Sequence, residues 1–64
     1  MKVLATYVLS NTASLNILEC SDAYVLYQES WNPTVHKVKL YVDTRHAYFK
    51  WGKQRIHLDT CIWV

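Results

Sequence analysis

Glycine and proline are nearly absent from this 64-residue chain, which contains one of each. Because these residues dominate turns and flexible connections, their scarcity predicts short loops and argues against an extended linker. The chain also lacks a run of about 20 apolar residues, so it offers no candidate membrane span and no membrane partner is predicted. We therefore predict one small domain over residues 1–64.

Cysteine is also scarce, and its spacing excludes the common metal and redox motifs. Cys20 and Cys61 lie far apart in the sequence and form no C-x-x-C pair, so neither a zinc site nor a thioredoxin-type centre is predicted. Two buried thiols in a reducing cytoplasm are the simpler interpretation, and a disulfide that closes the long intervening loop is the alternative. We predict no metal and no cofactor.

The residues that are abundant can build a core. Apolar residues make up 52% of the chain and include three Trp and five Tyr, a composition that is untypical of disorder. A chain of this length buries only about 60% of the surface that its unfolded form exposes, so dimerisation would be one way to add stability. The net charge of +2 does not by itself indicate nucleic-acid binding. The basic residues are nevertheless concentrated after His36.

Alternation of apolar and polar residues predicts a mainly β chain. Residues 3–9 are apolar on both faces and predict an internal strand. Residues 15–20 alternate with a phase slip that is typical of a bulged strand. Residues 30–34, with the single Pro, predict a loop. Residues 35–43 alternate so that one face carries Val38, Leu40 and Val42 and the other carries Lys37, Lys39 and Tyr41.

The strongest local signal is a hairpin over residues 46–59. Gly52 and Lys53 form a Gly-X pair between two alternating runs, which suits a two-residue turn. Folding the chain there pairs Trp51 with Gln54, Lys50 with Arg55, Phe49 with Ile56, Tyr48 with His57, Ala47 with Leu58 and His46 with Asp59. One face is then apolar, whereas the other is basic and aromatic. Residues 60–64 are predicted to continue the last strand with Ile62 and Val64 towards the core.

These segments predict a small antiparallel meander of five to six strands, curled into an SH3- or OB-like barrel. The alternative is an α+β fold in which an antiparallel sheet is covered by one helix from residues 12–29, because periodicity does not separate strand from helix in such short runs.

The polar side of this sheet is the predicted binding surface. If residues 35–43 pair with the first hairpin strand, basic and aromatic residues share one face, and Trp31 lies at its edge in the loop. The predicted binding residues are Lys37, Lys39, Tyr41, Tyr48, Lys50, Arg55, His57 and Trp31. Tyr, Trp and Arg dominate the energetics of protein interfaces. We therefore expect a cytoplasmic, non-enzymatic protein that binds another protein, in the manner of the small phage and mobile-element proteins that inhibit or adapt larger ones.

Two other interpretations use the same residues. Aromatic platforms interleaved with cations also hold single-stranded RNA or DNA on sheet surfaces. A metal-independent nuclease needs a base, an acid and cations around the phosphate, which His46 and His57 beside Asp59, Lys50 and Arg55 would supply. No spacing in the chain matches an established catalytic signature, so no catalytic residue is predicted and the nuclease ranks third.

Overall fold

A computed structural model describes residues 2–64, which form strands and one short 3-10 helix. The strands are β1 (Ala5–Val8), β2 (Ser14–Cys20), β3 (Tyr24–Glu29), β4 (Val35–Lys39), β5 (Tyr41–Asp43), β6 (His46–Trp51), β7 (Gln54–His57) and β8 (Ile62–Trp63). The 3-10 helix, Leu58–Thr60, lies between β7 and β8. The mainly β prediction is confirmed. The alternative helix over residues 12–29 is wrong, because those residues form β2, β3 and their turns.

The strands form two antiparallel sheets rather than one meander of five to six strands. The first sheet has the order β4-β3-β2-β1-β8, and the second has the order β5-β6-β7. The chain passes from one sheet to the other at Leu40 and again through the 3-10 helix. The two sheets are therefore joined at both of these boundaries.

Leu40 divides the strand that the sequence predicts over residues 35–43. Its side chain is buried, and its backbone N–H donates to the Ala23 carbonyl at 3.0 Å. The chain turns there, so β4 pairs with β3 while β5 pairs with β6. The prediction of one continuous strand is wrong. Val42, which the alternation places on one face with Val38 and Leu40, is 66% exposed in the edge strand of the second sheet.

Other local predictions are confirmed. The register between β2 and β3 shifts between Ile17 and Glu19, which is the bulge that the phase slip predicts. The single proline lies in the loop between β3 and β4, where the Thr34 N–H donates to Asn32 Oδ1 at 3.0 Å. This side chain-to-backbone bond is the usual way in which Asn stabilises a turn.

Both sheets contribute to one core. Its buried members are Ala5, Leu15, Ile17, Val25, Tyr27, Leu40, Phe49, Ile56 and Cys61. The rings of Tyr27 in the first sheet and Phe49 in the second are stacked with centroids 5.2 Å apart, so they join the two sheets directly. Cys61 is buried and Cys20 is half-buried, and both are free thiols.

The end of the chain differs from the prediction. Residues 60–64 do not extend β7, because the Thr60 hydroxyl donates to the His57 carbonyl at 2.6 Å and the chain makes a 3-10 turn. This turn brings Cys61 into the core and leaves Ile62 and Val64 exposed by 66% and 96%. β8 instead pairs with β1. Within residues 2–64, no helix is long and apolar enough to span a membrane.

Candidate binding surface

The β6–β7 hairpin has the register that the sequence predicts as far as His57. Trp51 lies opposite Gln54, Lys50 opposite Arg55, Phe49 opposite Ile56 and Tyr48 opposite His57. Gly52 has a φ of +60°, a left-handed conformation that favours glycine in this turn. The predicted pairs of Ala47 with Leu58 and His46 with Asp59 do not form between strands, because Leu58 and Asp59 belong to the 3-10 helix.

Two tyrosines form the centre of the surface. β5 pairs with β6 so that Tyr41 lies directly opposite Tyr48. Their rings are stacked with centroids 5.5 Å apart and an interplanar angle of 14°. Side chains at directly opposite positions of an antiparallel pair are close enough for this contact. The short strand β5 therefore places Tyr41 on the hairpin even though β4, which precedes it, belongs to the other sheet.

Three cations lie over the faces of these rings. Lys50 Nζ is 5.0 Å and Lys39 Nζ is 5.4 Å from the Tyr41 centroid. The Arg55 guanidinium is 5.4 Å from the Tyr48 centroid, and the His57 ring is 5.3 Å from the same centroid. We call this linked group the basic–aromatic face; it comprises Lys39, Tyr41, Tyr48, Lys50, Arg55 and His57. Six of the eight predicted binding residues are therefore together.

The cations of the basic–aromatic face lack carboxylate partners. Among residues 2–64, the only carboxylates within 4 Å of a basic side chain are Glu29, which contacts His36, and Asp59, which contacts His46. Cation–π contacts hold the charged groups over the rings without neutralising them. The face consequently presents three uncompensated positive charges close together.

Lys37 flanks this face. Its Nζ lies 4.5 Å from the centroid of Tyr24, whose hydroxyl donates to Glu19 Oε2 at 2.7 Å. That hydrogen bond, followed by the negative charge of Glu19, raises the pKa of Tyr24. Lys37 and Lys39 alternate with Val38 along β4 and so point to the same side of the sheet. Lys37 is thus beside the basic–aromatic face but near a carboxylate.

Trp31 lies elsewhere. The residue is 54% exposed, and its ring contacts Trp51, with centroids 6.1 Å apart and an interplanar angle of 65°. Trp51 follows Phe49 by two residues and shares the core-facing side of β6, opposite to Tyr48 and Lys50. The structure therefore does not bring Trp31 to the edge of the basic–aromatic face. The alternation along β6 shows where Trp51 points, but the sequence contains no signal that links Trp51 to the loop.

His46, His57 and Asp59 do come together at one end of the face. The His46 and His57 ring centroids are 6.3 Å apart, and His46 Nδ1 is 3.5 Å from Asp59 Oδ2. The side chains of His46 and Asp59 are more than half exposed. Residues 2–64 contain no group of three His, Cys, Asp or Glu side chains that is placed to hold a metal, and they enclose no pocket.

Comparisons with protein-family models, with curated proteins and with solved structures found no match to this chain.

Proposed function

We propose that this protein is a non-enzymatic binding protein that uses the basic–aromatic face to dock onto an acidic surface of a larger protein. The observation that supports this most is the position of Lys39, Lys50 and Arg55 over a stacked tyrosine pair, where none of the three forms an ion pair with a described carboxylate. Cation–π contacts restrain long side chains before a partner arrives, so less conformational entropy is lost on binding.

The occupied ring faces favour a protein over single-stranded nucleic acid as the partner. Base stacking needs an open aromatic face. In this structure Tyr41 is covered by the Tyr48 ring and by two lysine ammonium groups, and Tyr48 also contacts Arg55 and His57. The tyrosines therefore serve better as a support for the cations than as platforms for bases. Carboxylates on a protein surface would complement the positive charges of these cations.

The absence of a pocket among residues 2–64 agrees with a mode of action by surface contact. A small domain of this kind would inhibit or adapt its partner by covering a site on it, as small phage and mobile-element proteins do. A cytoplasmic location is part of the proposal, because both cysteines are free thiols and thiols persist in reducing compartments.

The test is affinity capture from a host-like lysate, with and without nuclease treatment, followed by mass spectrometry. The variant Lys50→Glu with Arg55→Glu reverses two charges of the face. The matched control is Lys53→Glu with Arg45→Glu, which changes the same residue types in two turns of the same sheet. Each double variant lowers the formal net charge by the same amount, so general electrostatic attraction changes equally in both.

One protein captured in near-stoichiometric amount despite nuclease, lost in the first variant and retained in the control, is the expected result. Equal loss in both variants would show that net charge rather than the face is responsible, and would contradict the proposal. Recovery of nucleic acid, with a steep log-linear salt dependence, would support the nucleic-acid alternative instead. Nuclease activity that His57→Ala abolishes would support the catalytic alternative.

A further inference from the structure

The strand β7 forms one edge of the three-stranded sheet and borders the basic–aromatic face. Among residues 2–64, β7 pairs with β6 and with no other strand. Two of its four residues, Arg55 and His57, belong to the basic–aromatic face. The unpaired backbone of an edge strand can accept a further strand from another chain. This edge therefore adds main-chain hydrogen-bonding groups to the charged side chains of the face.

The two-residue turn before β7 decides which backbone groups of β7 point away from β6. In such a turn, the residue after it donates its N–H to the carbonyl of the residue before it, so Gln54 donates to Trp51. Hydrogen-bonded and non-hydrogen-bonded pairs alternate along an antiparallel ladder. The N–H and C=O groups of Arg55 and of His57 consequently point outward from the hairpin.

The segment after β7 supports this orientation. The His57 carbonyl accepts the Thr60 hydroxyl at 2.6 Å and the Cys61 thiol at 3.6 Å. Both donors follow β7 in the chain, so this carbonyl is turned towards them rather than towards β6. No backbone hydrogen bond outside the strand ladders involves Arg55 in the part of the chain that the structure describes. The N–H and C=O of Arg55 are therefore the pair that an added strand would meet.

The charge of this edge indicates the kind of strand that fits it. Arg55 forms no ion pair within residues 2–64. A residue directly opposite Arg55 on an added strand would share its face at a Cβ separation of about 5 Å, from which a carboxylate reaches the guanidinium. The other edge of the same sheet, β5, has only three residues and ends at Asp43, which would repel an acidic strand.

We propose that an extended acidic segment of the partner protein adds to β7 as an antiparallel strand, with a Glu or Asp side chain opposite Arg55. This inference rests on the proposed function, since it states how the acidic surface of the partner is presented. The residue opposite Arg55 exchanges two main-chain hydrogen bonds with it, and its carboxylate pairs with the guanidinium. In this mode of recognition, main-chain bonds supply affinity and alternate side chains supply specificity.

The probe is a short blocked peptide of alternating Thr and Glu, titrated into the full ¹⁵N-labelled chain and followed by amide shifts and hydrogen exchange. In the free chain, the Arg55 amide should exchange quickly, whereas the Ile56 amide, which faces Phe49 in the ladder, should exchange slowly. The peptide should shift and protect the Arg55 amide saturably, with a Kd on the order of millimolar. A slowly exchanging Arg55 amide in the free chain, or no saturable shift, would overturn the proposal.

Two N-methylated peptides separate strand pairing from attraction between charges. In the proposed register, the N–H groups of the Glu residues point to β7 and those of the Thr residues point away. Methylation of the Glu amides should weaken binding roughly tenfold or more, because it removes hydrogen bonds and places methyl groups between the strands. Methylation of the Thr amides leaves the net charge the same and should weaken binding by less than about threefold. Equal losses would overturn the proposed pairing.

Replacement of Glu by Gln in the peptide tests the contribution of charge. The neutral peptide should bind about two- to fivefold more weakly, as expected for loss of an exposed ion pair. Arg55→Gln should remove this preference, whereas the matched control Arg45→Gln, in the turn between β5 and β6, should keep it. Equal binding of the two peptides by the unaltered chain would overturn the assignment of an acidic segment.

The outcomes also separate this inference from the proposed function. An acidic peptide that shifts the Tyr41 and Tyr48 amides but tolerates methylation of its Glu amides would support an acidic partner on the face and overturn strand addition to β7. The lysate capture does not depend on main-chain pairing, so it tests the proposed function independently of these peptides.

Discussion

Truncation of Phe49 tests whether β6 has one side that faces the core and one that faces solvent. The basic–aromatic face requires this arrangement. Phe49 is fully buried, and its ring stacks on Tyr27 across the two sheets. Removing a buried Phe side chain costs about 3–5 kcal/mol, and loss of the ring stack favours the upper part of that range. A domain of this size has a total free energy of unfolding of roughly 3–10 kcal/mol. We therefore expect Phe49→Ala to lose about half or more of its stability.

The assay is urea unfolding followed by tryptophan fluorescence and far-UV circular dichroism. Because Phe49→Ala is expected to be close to unfolded, Phe49→Leu provides a measurable intermediate with an expected cost of about 1 kcal/mol. Lys50→Ala is the matched control, since it changes the next residue in the same strand but an exposed side chain. Its cost should stay within about 0.5 kcal/mol.

Similar behaviour of the control and the core variants would contradict the assignment of Phe49 to the core and Lys50 to the solvent side. A Lys50→Ala variant as unstable as Phe49→Ala would mean that Lys50 is not on the solvent side of β6. A Phe49→Leu variant with wild-type stability and an unchanged unfolding slope would mean that Phe49 is not packed between the sheets. Either result would remove the geometric basis of the basic–aromatic face.

Three further predictions concern stability. Thr44 has a φ of 56°, which a β-branched residue adopts at a cost, so Thr44→Asn should raise the free energy of unfolding by about 0.5–1 kcal/mol; a lower urea midpoint would contradict this. Gly52→Ala should cost about 1 kcal/mol through backbone strain alone, because its Cβ would meet nothing within 4 Å, and Gly52→Asn should recover most of that loss. Burial, with the charge of Asp59 as a smaller cause, raises the pKa of the Cys61 thiol above its ordinary value. As the pH rises, the unfolded chain therefore loses this proton before the folded chain does, so the free energy of unfolding should fall above about pH 9. The fall should be less steep in Cys61→Ala. Urea midpoints measured at neutral and alkaline pH would show both effects.

The hairpin was predictable because its signals are local. A few neighbouring residues are enough to infer the turn at Gly52 and the alternation on both sides of it. The bulge between Ile17 and Glu19 in β2 is a local signal of the same kind. The same alternation assigns Tyr48 and Lys50 to the surface and Phe49 to the core. Most of the basic–aromatic face follows from that assignment.

The errors arose where the outcome depends on distant partners. Periodicity does not show that β4 and β5 belong to different sheets, because Leu40 continues the alternation while the chain turns. In the same way, Ile62 and Val64 have the spacing of core residues, but the 3-10 turn before them changes which side chains point inward. The contact between Trp31 and Trp51 joins a loop to a strand of the other sheet, so no local pattern contains it.

Pairing of β1 with β8 brings together residues from nearly opposite ends of the chain, since Ala5 lies opposite Trp63. Closing so long a loop costs more entropy than closing a two-residue turn, and such non-local contacts slow folding. The β6–β7 hairpin forms without that cost. We therefore expect the hairpin to form early and the five-stranded sheet to be completed late. During synthesis, β1 must wait for β8 to leave the ribosome before its outer edge is paired.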